Sequence, residues 1–224
     1  MEGAVDPPAA AMTLAVEGIT VRRGGRLLLD GVSLRADRGE IVGVIGPNGA
    51  GKTTLFEAVA ARVSSSTLFY LPDHIRPWAD QRVAWALRFF AGLFDKSEDR
   101  DAIAALQLDS LLQQRVGSLS KGEAKRFAMA LALSTPQPAL LLDEPFDGLD
   151  FRQTRAAMDL LRARAAAGRT LVLSIHQLTD AARVCDRFLL LDHGRAIAEG
   201  ELSALRTRVS QPQATLEEVF LALE

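Results

Sequence analysis

Short apolar runs alternate with stretches of helical periodicity along most of the chain. The apolar runs typical of buried β-strands are residues 40–45, 67–71, 139–142, 171–175 and 188–191. Helical patterns begin at Phe151 and Leu178, each directly between two of these runs. Strands that alternate with helices in this way favour an α/β fold with a mostly parallel sheet and helices on its faces.

Two regions depart from this alternation. Apolar residues at Leu14 and Val16, and then at Ile19 and Val21, predict a strand, followed by a turn at residues 22–26 and further β-structure over 27–34. The start of the chain is therefore expected to form an antiparallel β region. Residues 81–114 have helical periodicity and no strong strand, which predicts an inserted α-helical subdomain over about 77–134.

The first helix of this insertion carries two apolar stripes. Val83, Leu87, Phe90 and Phe94 form one stripe, and a second lies well round the helix, formed by Trp85, Phe89 and Leu93. A helix with two apolar faces needs two surfaces against which to bury them. The second surface is either the chain's own helical subdomain or a groove in a partner protein, with the second stripe and Trp78 as anchors.

Composition narrows the class of protein. The 224 residues are 48% hydrophobic and 24% charged, with a net charge of −2, as in an ordinary globular domain without the basic field expected of a nucleic-acid binder. No apolar run is long enough to span a membrane. Cys185 is the single cysteine, which excludes an intrachain disulfide and predicts a small packed residue on a helix. Residues 1–12 lack a signal-peptide pattern and are expected to be a flexible tail in a cytosolic protein.

A glycine-rich segment between a strand and a helix carries the strongest chemical signal. It follows the pattern G-x-x-x-x-G-K-[ST] and comprises Gly46, Pro47, Asn48, Gly49, Ala50, Gly51, Lys52, Thr53 and Thr54. Glycines allow the backbone N–H groups of such a loop to surround an anion, and the N-terminus of the following helix adds unpaired amides. We expect Lys52 to reach the β- and γ-phosphates of a nucleotide and the Thr53 hydroxyl to bind Mg²⁺. Residues 46–54 are called the phosphate loop below.

Two carboxylates follow the apolar strand at residues 139–142. Ligand sites lie at the carboxyl ends of parallel strands, so Asp143 and Glu144 are expected near the phosphate loop. Asp143 is predicted to hold Mg²⁺ and Glu144 to polarise the water that attacks the γ-phosphate.

The order of these motifs resembles the ATP-binding cassette (ABC) ATPases, and the similarity extends from about Leu14 to Glu224. The segment Leu119–Glu123, called the signature segment below, is similar to the family's leucine-serine-glycine-glycine-glutamine motif. Residues 146–150 resemble its D-loop, residues 70–73 stand at its Q-loop, and His176 at its switch histidine. The resemblance implies a P-loop nucleoside triphosphatase core, with residues 13–224 forming the ABC ATPase domain.

The resemblance also implies roles for single residues. His176 would sense the γ-phosphate, while Ser120 and Gly122 would contact the nucleotide held by the phosphate loop of a second subunit. Arg23 stands where the family has an adenine-stacking aromatic ring, and a guanidinium can stack on adenine instead. Asp73 replaces the Q-loop glutamine and could ligate Mg²⁺.

The function implied is that of an ATPase subunit of a transporter. It would use ATP and Mg²⁺, pair with a second ABC ATPase subunit, and drive separate transmembrane permease subunits from the cytoplasmic face of the cell membrane. The end of the chain, residues 216–223, is similar to export-type cassettes. Two alternatives stay open: a nucleotide-gated module with weak hydrolysis, and a soluble ABC ATPase that does not serve transport.

Overall fold

A computed structural model describes residues 12–223. The predicted tail therefore lies outside the described residues, except for Met12, where the first strand begins. The strands are β1 (Met12–Arg23), β2 (Arg26–Asp37), β3 (Ile41–Ile45), β4 (Leu68–Leu71), β5 (Ala139–Asp143), β6 (Thr170–Ile175), β7 (Arg187–Asp192) and β8 (Arg195–Gly200). The α-helices are α1 (Lys52–Ala60), α2 (Val83–Gly92), α3 (Arg100–Ala105), α4 (Lys121–Ser134), α5 (Phe151–Ala166), α6 (Leu178–Val184), α7 (Leu202–Arg208) and α8 (Leu216–Leu223).

The main sheet has the strand order β4-β5-β6-β3-β7-β8. Its first five strands pair in parallel, and β8 runs antiparallel to β7 at the edge. β1 and β2 form a separate antiparallel pair, joined by a turn at Gly24 and Gly25. The predicted α/β fold, with a mostly parallel sheet and an N-terminal antiparallel region, is confirmed.

Both faces of the main sheet are buried, which explains why its strands are apolar at successive positions. Val42 and Val44 of β3 face a core shared with β1, β2 and α1, whereas Ile41 and Ile45 face a second core that includes α4, α5 and α6. Side chains alternate along a strand, so Asp143 of β5 points to the same side of the sheet as Leu141, toward α1. This alternation brings the last residue of β5 to the helix that follows the phosphate loop.

The helical region lies in sequence between β4 and β5 and contains α2, α3 and α4. Val83 and Leu87 of the first α2 stripe are buried, but the second stripe is not: Trp85 and Phe89 are each 41% exposed and Leu93 is 57% exposed. We call Trp85, Phe89 and Leu93 the exposed stripe of α2. Of the two surfaces considered for this stripe, the chain's own helical region covers it only in part.

Two details differ from the sequence prediction. Helix α7 was not predicted, because its short pattern lies between a strand and the capping box of the last helix. Cys185 is buried as expected, but it lies just beyond the end of α6 in extended backbone. Its Sγ is 2.8 Å from where a Cβ on Gly43 would be, so it fills the space above a glycine of β3.

Candidate functional site

The phosphate loop connects β3 to α1, and two of its glycines are required by close contacts. A Cβ on Gly46 would lie 2.1 Å from the backbone oxygen of Leu191, at the end of neighbouring β7. Gly51 has a φ of 106° and caps α1, where a Cβ would lie 2.8 Å from Leu29. The loop therefore needs glycine both to approach β7 and to turn into the helix. At its tip Pro47, Asn48 and Gly49 are exposed, whereas Ala50 is buried.

Lys52 is the first residue of α1, and its side chain is 7% exposed. Its Nζ donates hydrogen bonds to the backbone oxygens of Gly46 (2.7 Å) and Pro47 (3.3 Å), and it lies 3.6 Å from Oε1 of Glu144. The ammonium is thus held inside the curl of the loop, facing the carboxylate at the end of β5. A phosphate oxygen that enters the loop would meet this charge directly.

Thr53, Asp143 and Ser174 form a hydrogen-bonded network. Oγ1 of Thr53 donates to Oδ2 of Asp143 over 2.8 Å, and the Ser174 hydroxyl donates to Oδ1 of the same carboxylate. Asp143 is 1% exposed and pairs in register with Ser174 across β5 and β6. The hydroxyls on both sides orient an otherwise buried carboxylate toward α1.

Tyr70 of β4 belongs to the same cluster. Burial is the first cause that raises the pKa of its phenol, and the negative charge of Asp143 is the second. Tyr70 is therefore kept as a neutral phenol beside the carboxylate.

Glu144 and His176 are brought into contact at the ends of β5 and β6. Nδ1 of His176 lies 2.7 Å from Oε2 of Glu144. The tautomer with the proton on Nδ1 allows the ring to donate this hydrogen bond to the carboxylate. The Glu144 backbone has a φ of 48°, an uncommon conformation for a residue with a side chain, and its N–H donates to Ser174 Oγ over 2.9 Å. This turn aims the Glu144 side chain between His176 and Lys52.

Asp73 follows β4 and pairs with a lysine that the sequence prediction did not single out. Nζ of Lys125, on α4, lies 2.5 Å from Oδ1 and 2.8 Å from the backbone oxygen of Asp73. The other carboxylate oxygen of Asp73 lies 2.9 Å from Nε2 of His74. The Mg²⁺-binding role predicted for Asp73 stays a prediction, and both of its carboxylate oxygens have protein partners.

The signature segment forms the start of α4. Ser120 caps the helix: its hydroxyl accepts from the N–H of Glu123, and its own N–H donates to the Glu123 carboxylate, the reciprocal capping box. A Cβ on Gly122 would lie 2.5 Å from the backbone oxygen of Gly148, so α4 begins in close contact with the loop after β5. Ser120 itself is exposed.

Lys121 reinforces the contact between α4 and the loop after β5. Its ammonium lies 2.6 Å from the Asp147 carboxylate. A hydrogen bond from Lys121 is the first cause that lowers the pKa of Asp147. The same pair, again first through its hydrogen bond, raises the pKa of Lys121.

Arg23 lies at the end of β1, away from this network. Its guanidinium is exposed and pairs with Glu57 of α1 over 3.2 Å. The pair fixes a planar group beside the helix that follows the phosphate loop.

The structure thus brings together Lys52, Thr53, Asp143, Glu144 and His176, which are distant in the sequence. Two contacting residues escaped the sequence prediction: Ser174 and Lys125. Ser174 carries a signal that could have found it, since it interrupts the apolar run of β6, whereas Lys125 lies among the polar residues that begin α4 and has no such signal. Within residues 12–223, no group of three or more histidine, cysteine, aspartate or glutamate side chains is arranged to hold a metal.

A glycine loop between a parallel strand and a helix, with carboxylates at the end of a nearby strand, defines a P-loop nucleotide-binding protein. Comparison with known proteins gives the family. The sequence profile of the ABC transporter family matches residues 29–147. The hemin import ATP-binding protein HmuV of Streptomyces coelicolor is 34% identical, over 96% of this chain and 87% of the relative. Nod factor export ATP-binding protein I of a Rhizobium species is 31% identical, over 87% and 72%.

Solved structures agree with this assignment. The ATP-binding subunit of an ABC transporter superposes with a TM-score of 0.85 at 25% identity, covering 95% of this chain and 99% of that one. The chain belongs to the ABC transporter family and is one of its ATP-binding subunits. In the described part of the chain, residues 12–223, no helix is long and apolar enough to cross a membrane.

Proposed function

We propose that this subunit hydrolyses ATP and uses the reaction to drive separate membrane subunits. The observation that carries the proposal is the convergence of Lys52, at the start of α1, with Glu144 and His176, which follow β5 and β6, beside the Thr53–Asp143 hydrogen bond. This arrangement places a cation for phosphate and a histidine for orientation on either side of a carboxylate for water, Glu144, which contacts both.

Each side chain has a distinct task in this proposal. Lys52 leaves the loop carbonyls to bind phosphate oxygens, which are stronger acceptors because they are charged. Glu144 accepts the proton of the attacking water, and its distance of 3.6 Å to Lys52 keeps it beside the phosphate position. His176 holds the Glu144 carboxylate in place through Nδ1.

The residues also suit Mg²⁺. This ion is held by one or two protein oxygens, with phosphate and water oxygens completing its shell. Thr53 Oγ1 and Asp143 Oδ2, 2.8 Å apart, supply such a pair beside the phosphate loop. When bound, Mg²⁺ would neutralise negative charge that develops on the phosphate oxygens.

We further propose that the working form contains two such subunits. Ser120 caps α4 at an exposed position, where helix amides and a hydroxyl could meet the phosphates held by a second subunit. Gly122 serves this geometry by letting the start of α4 lie against Gly148. Arg23 would face the base of the nucleotide.

The exposed stripe of α2 supports an interaction with membrane subunits. Trp85 and Phe89 stack with ring centroids 4.8 Å apart, and Trp78 packs against both. Rigid aromatic groups that are exposed together are the typical anchors of a protein interface. The relatives are named as both import and export proteins, so the shared machinery is the ATP-binding subunit and not the cargo. In this assembly the chain works at the cytoplasmic face of the cell membrane.

The proposal is tested by Glu144→Gln. We expect steady-state ATP turnover to fall about 10²- to 10⁴-fold, with ATP binding retained, because the amide cannot accept the proton of water. Glu17→Gln is the matched control, since Glu17 is an exposed glutamate that pairs with Arg35 far from the loop. Turnover within a few-fold of the wild type in Glu144→Gln would remove Glu144 from its role. Absence of turnover in the wild type, with and without membrane subunits, would instead favour the nucleotide-gated module.

A further inference from the structure

Lys125 connects three parts of the molecule that the proposed function requires to act together. It lies on α4 and is 4% exposed. Its Nζ contacts the backbone oxygen and Oδ1 of Asp73, after β4, and approaches the backbone oxygen of Asp143 at 3.4 Å, at the end of β5. An ammonium has three N–H donors, and these contacts direct all of them at the segments beside the site.

The buried Lys125 ammonium needs a partner of opposite charge, and Asp73 provides it. A buried ammonium is costly unless it is paired and hydrogen-bonded. Asp73 supplies the opposite charge, and the two backbone oxygens are fixed by the chain path. Asp73 also contacts the exposed ring of His74, and this loop and α4 together line a cavity of about 280 Å³. The Lys125–Asp73 pair is therefore a direct polar contact between loop and helix beside this cavity.

The position of Lys125 on α4 gives the pair a consequence for the signature segment. Ser120 is the N-cap of the same helix, roughly 7.5 Å from Lys125 along the helix axis. A helix moves as a rigid body over this distance, so the pair fixes the direction in which Ser120 is presented relative to Asp143.

We propose that the buried Lys125 and the partly exposed Asp73 form an ionic tie that positions the signature helix, α4, against the metal-binding end of β5. Both act as positioning residues: Asp73 holds Lys125, and Lys125 holds α4 and the Asp143 main chain. The inference rests on the proposed function, because it assigns the tie to the ATPase site. It assigns the Asp73 carboxylate to a lysine in place of the Mg²⁺ suggested by its position in the sequence.

The first experiment measures ATP turnover of the full chain carrying Lys125→Met, Asp73→Asn or both. We expect Lys125→Met to lower kcat about 10- to 100-fold while KM changes less than about 3-fold, because the phosphate loop itself is untouched. The double variant is expected to be no worse than Lys125→Met alone, since both changes break the same interaction. Lys125→Arg keeps the charge and should recover part of kcat. Losses that multiply in the double variant would overturn the tie.

Magnesium dependence separates the two roles of Asp73. A tie predicts that the Mg²⁺ concentration for half-maximal turnover stays within about 3-fold of the wild type in Asp73→Asn and Lys125→Met alike. If the Mg²⁺ concentration for half-maximal turnover rises about 10-fold or more in Asp73→Asn but not in Lys125→Met, Asp73 is a metal ligand and the proposal is overturned.

A second measurement does not depend on hydrolysis. Amide hydrogen exchange of residues 72–78 and 120–126 should be at least about 10-fold faster in Lys125→Met than in the wild type. Arg88→Met is the matched control: it removes a cation of the same helical region, paired at the surface with Glu98, and should leave this exchange unchanged. Exchange that is equal in Lys125→Met and the wild type would overturn the tie. If the wild type lacks turnover but these exchange rates differ as expected, the ATPase proposal fails and the tie stands.

Discussion

Two regions of the molecule are built in opposite ways: the carboxyl end of the main sheet, where the phosphate loop lies, and the exposed stripe of α2. At the carboxyl end of the sheet, Asp143 and Lys52 are buried, and both have polar partners. On α2, Trp85 and Phe89 are each 41% exposed, and their rings pack against each other and against Trp78. The phosphate-loop region buries charged groups and gives them hydrogen-bond partners, whereas the α2 stripe exposes apolar surface.

Both arrangements cost free energy in an isolated domain, and each points to a different partner. Burying a lysine and carboxylates costs desolvation free energy that pairing and hydrogen bonds must offset, and charged groups buried together in this way are characteristic of ligand sites. Exposed aromatic groups are favourable only when a second protein surface covers them. We therefore expect substitutions at the carboxyl end of the sheet to alter the ATP turnover of the isolated subunit. Changes on α2 are expected to alter its assembly.

The largest effect is expected from Gly46→Ala. The added Cβ would lie 2.1 Å from the Leu191 backbone oxygen, so the loop or β7 must move. Overpacking of this kind costs about 1–3 kcal/mol of unfolding free energy. Moving the phosphate loop by about 1 Å should also lower turnover about 100-fold. Thermal unfolding and steady-state ATPase assays measure the two effects.

Gly92→Ala on α2 is the matched control for this substitution. No heavy atom lies within 4 Å of the position of its added Cβ, and Gly92 is the last residue of the helix. We expect stability to stay the same or rise by up to about 1 kcal/mol, with turnover unchanged. Equal losses in both variants would show that the glycines act through general backbone effects and not through the contact with Leu191.

Ser174→Ala is expected to have the next largest effect. Its hydroxyl donates to Asp143 and accepts from the Glu144 N–H, so alanine removes one of the hydrogen bonds to the Asp143 carboxylate and leaves the Glu144 N–H without this partner. Each such loss costs about 1–3 kcal/mol, and we expect kcat to fall about 10-fold or more as Asp143 and Glu144 lose their orientation. Ser134→Ala is the control, because the Ser134 hydroxyl is buried but donates only to its own helix, at Leu131. A similar fall in kcat for Ser134→Ala would contradict the role of Ser174.

Much of the fold could be predicted because its strands and caps are local features. The apolar run at 139–142 becomes β5, and the capping pattern at Thr215 begins α8. Helix α7 was missed because it is short and its buried side is small, with Leu205 as its buried residue. Burial of the α2 stripes could not be decided from periodicity, since an apolar face has the same spacing whether the chain or a partner covers it.

The site was predictable where a motif fixes chemistry and spacing together. Lys52, Thr53, Asp143 and Glu144 follow directly from two segments next to predicted strands, and the structure brings them into contact. The roles of Ser174 and Lys125 depend on register between strands and on the packing of α4 against the loop after β4. The polar position of Ser174 is visible in the sequence, but its hydrogen-bond partners and those of Lys125 are set by the three-dimensional arrangement.

The smallest effect on the isolated subunit is expected from Trp85→Gln combined with Phe89→Gln. These side chains pack against each other and Trp78 on the helical region, whereas the phosphate-loop network is formed by residues of α1, β5 and β6. Turnover of the isolated subunit should stay within about 2-fold of the wild type, with a stability loss of about 1 kcal/mol from the broken ring pairs. Binding to the membrane subunits should weaken about 30-fold or more, the effect of losing interface anchors worth about 2 kcal/mol.

Co-purification of the detergent-solubilised transporter measures this binding, and Leu221→Gln provides the matched control. Leu221 on α8 is an apolar side chain that is 63% exposed, so its replacement tests whether any loss of surface hydrophobicity weakens the complex. Retention of the membrane subunits by the α2 variant, or equal loss in the α8 variant, would remove the special role of the exposed stripe. Because a buried charge network and an exposed aromatic surface respond to different partners, the two regions should be separable by mutation: turnover is lost at one and assembly at the other.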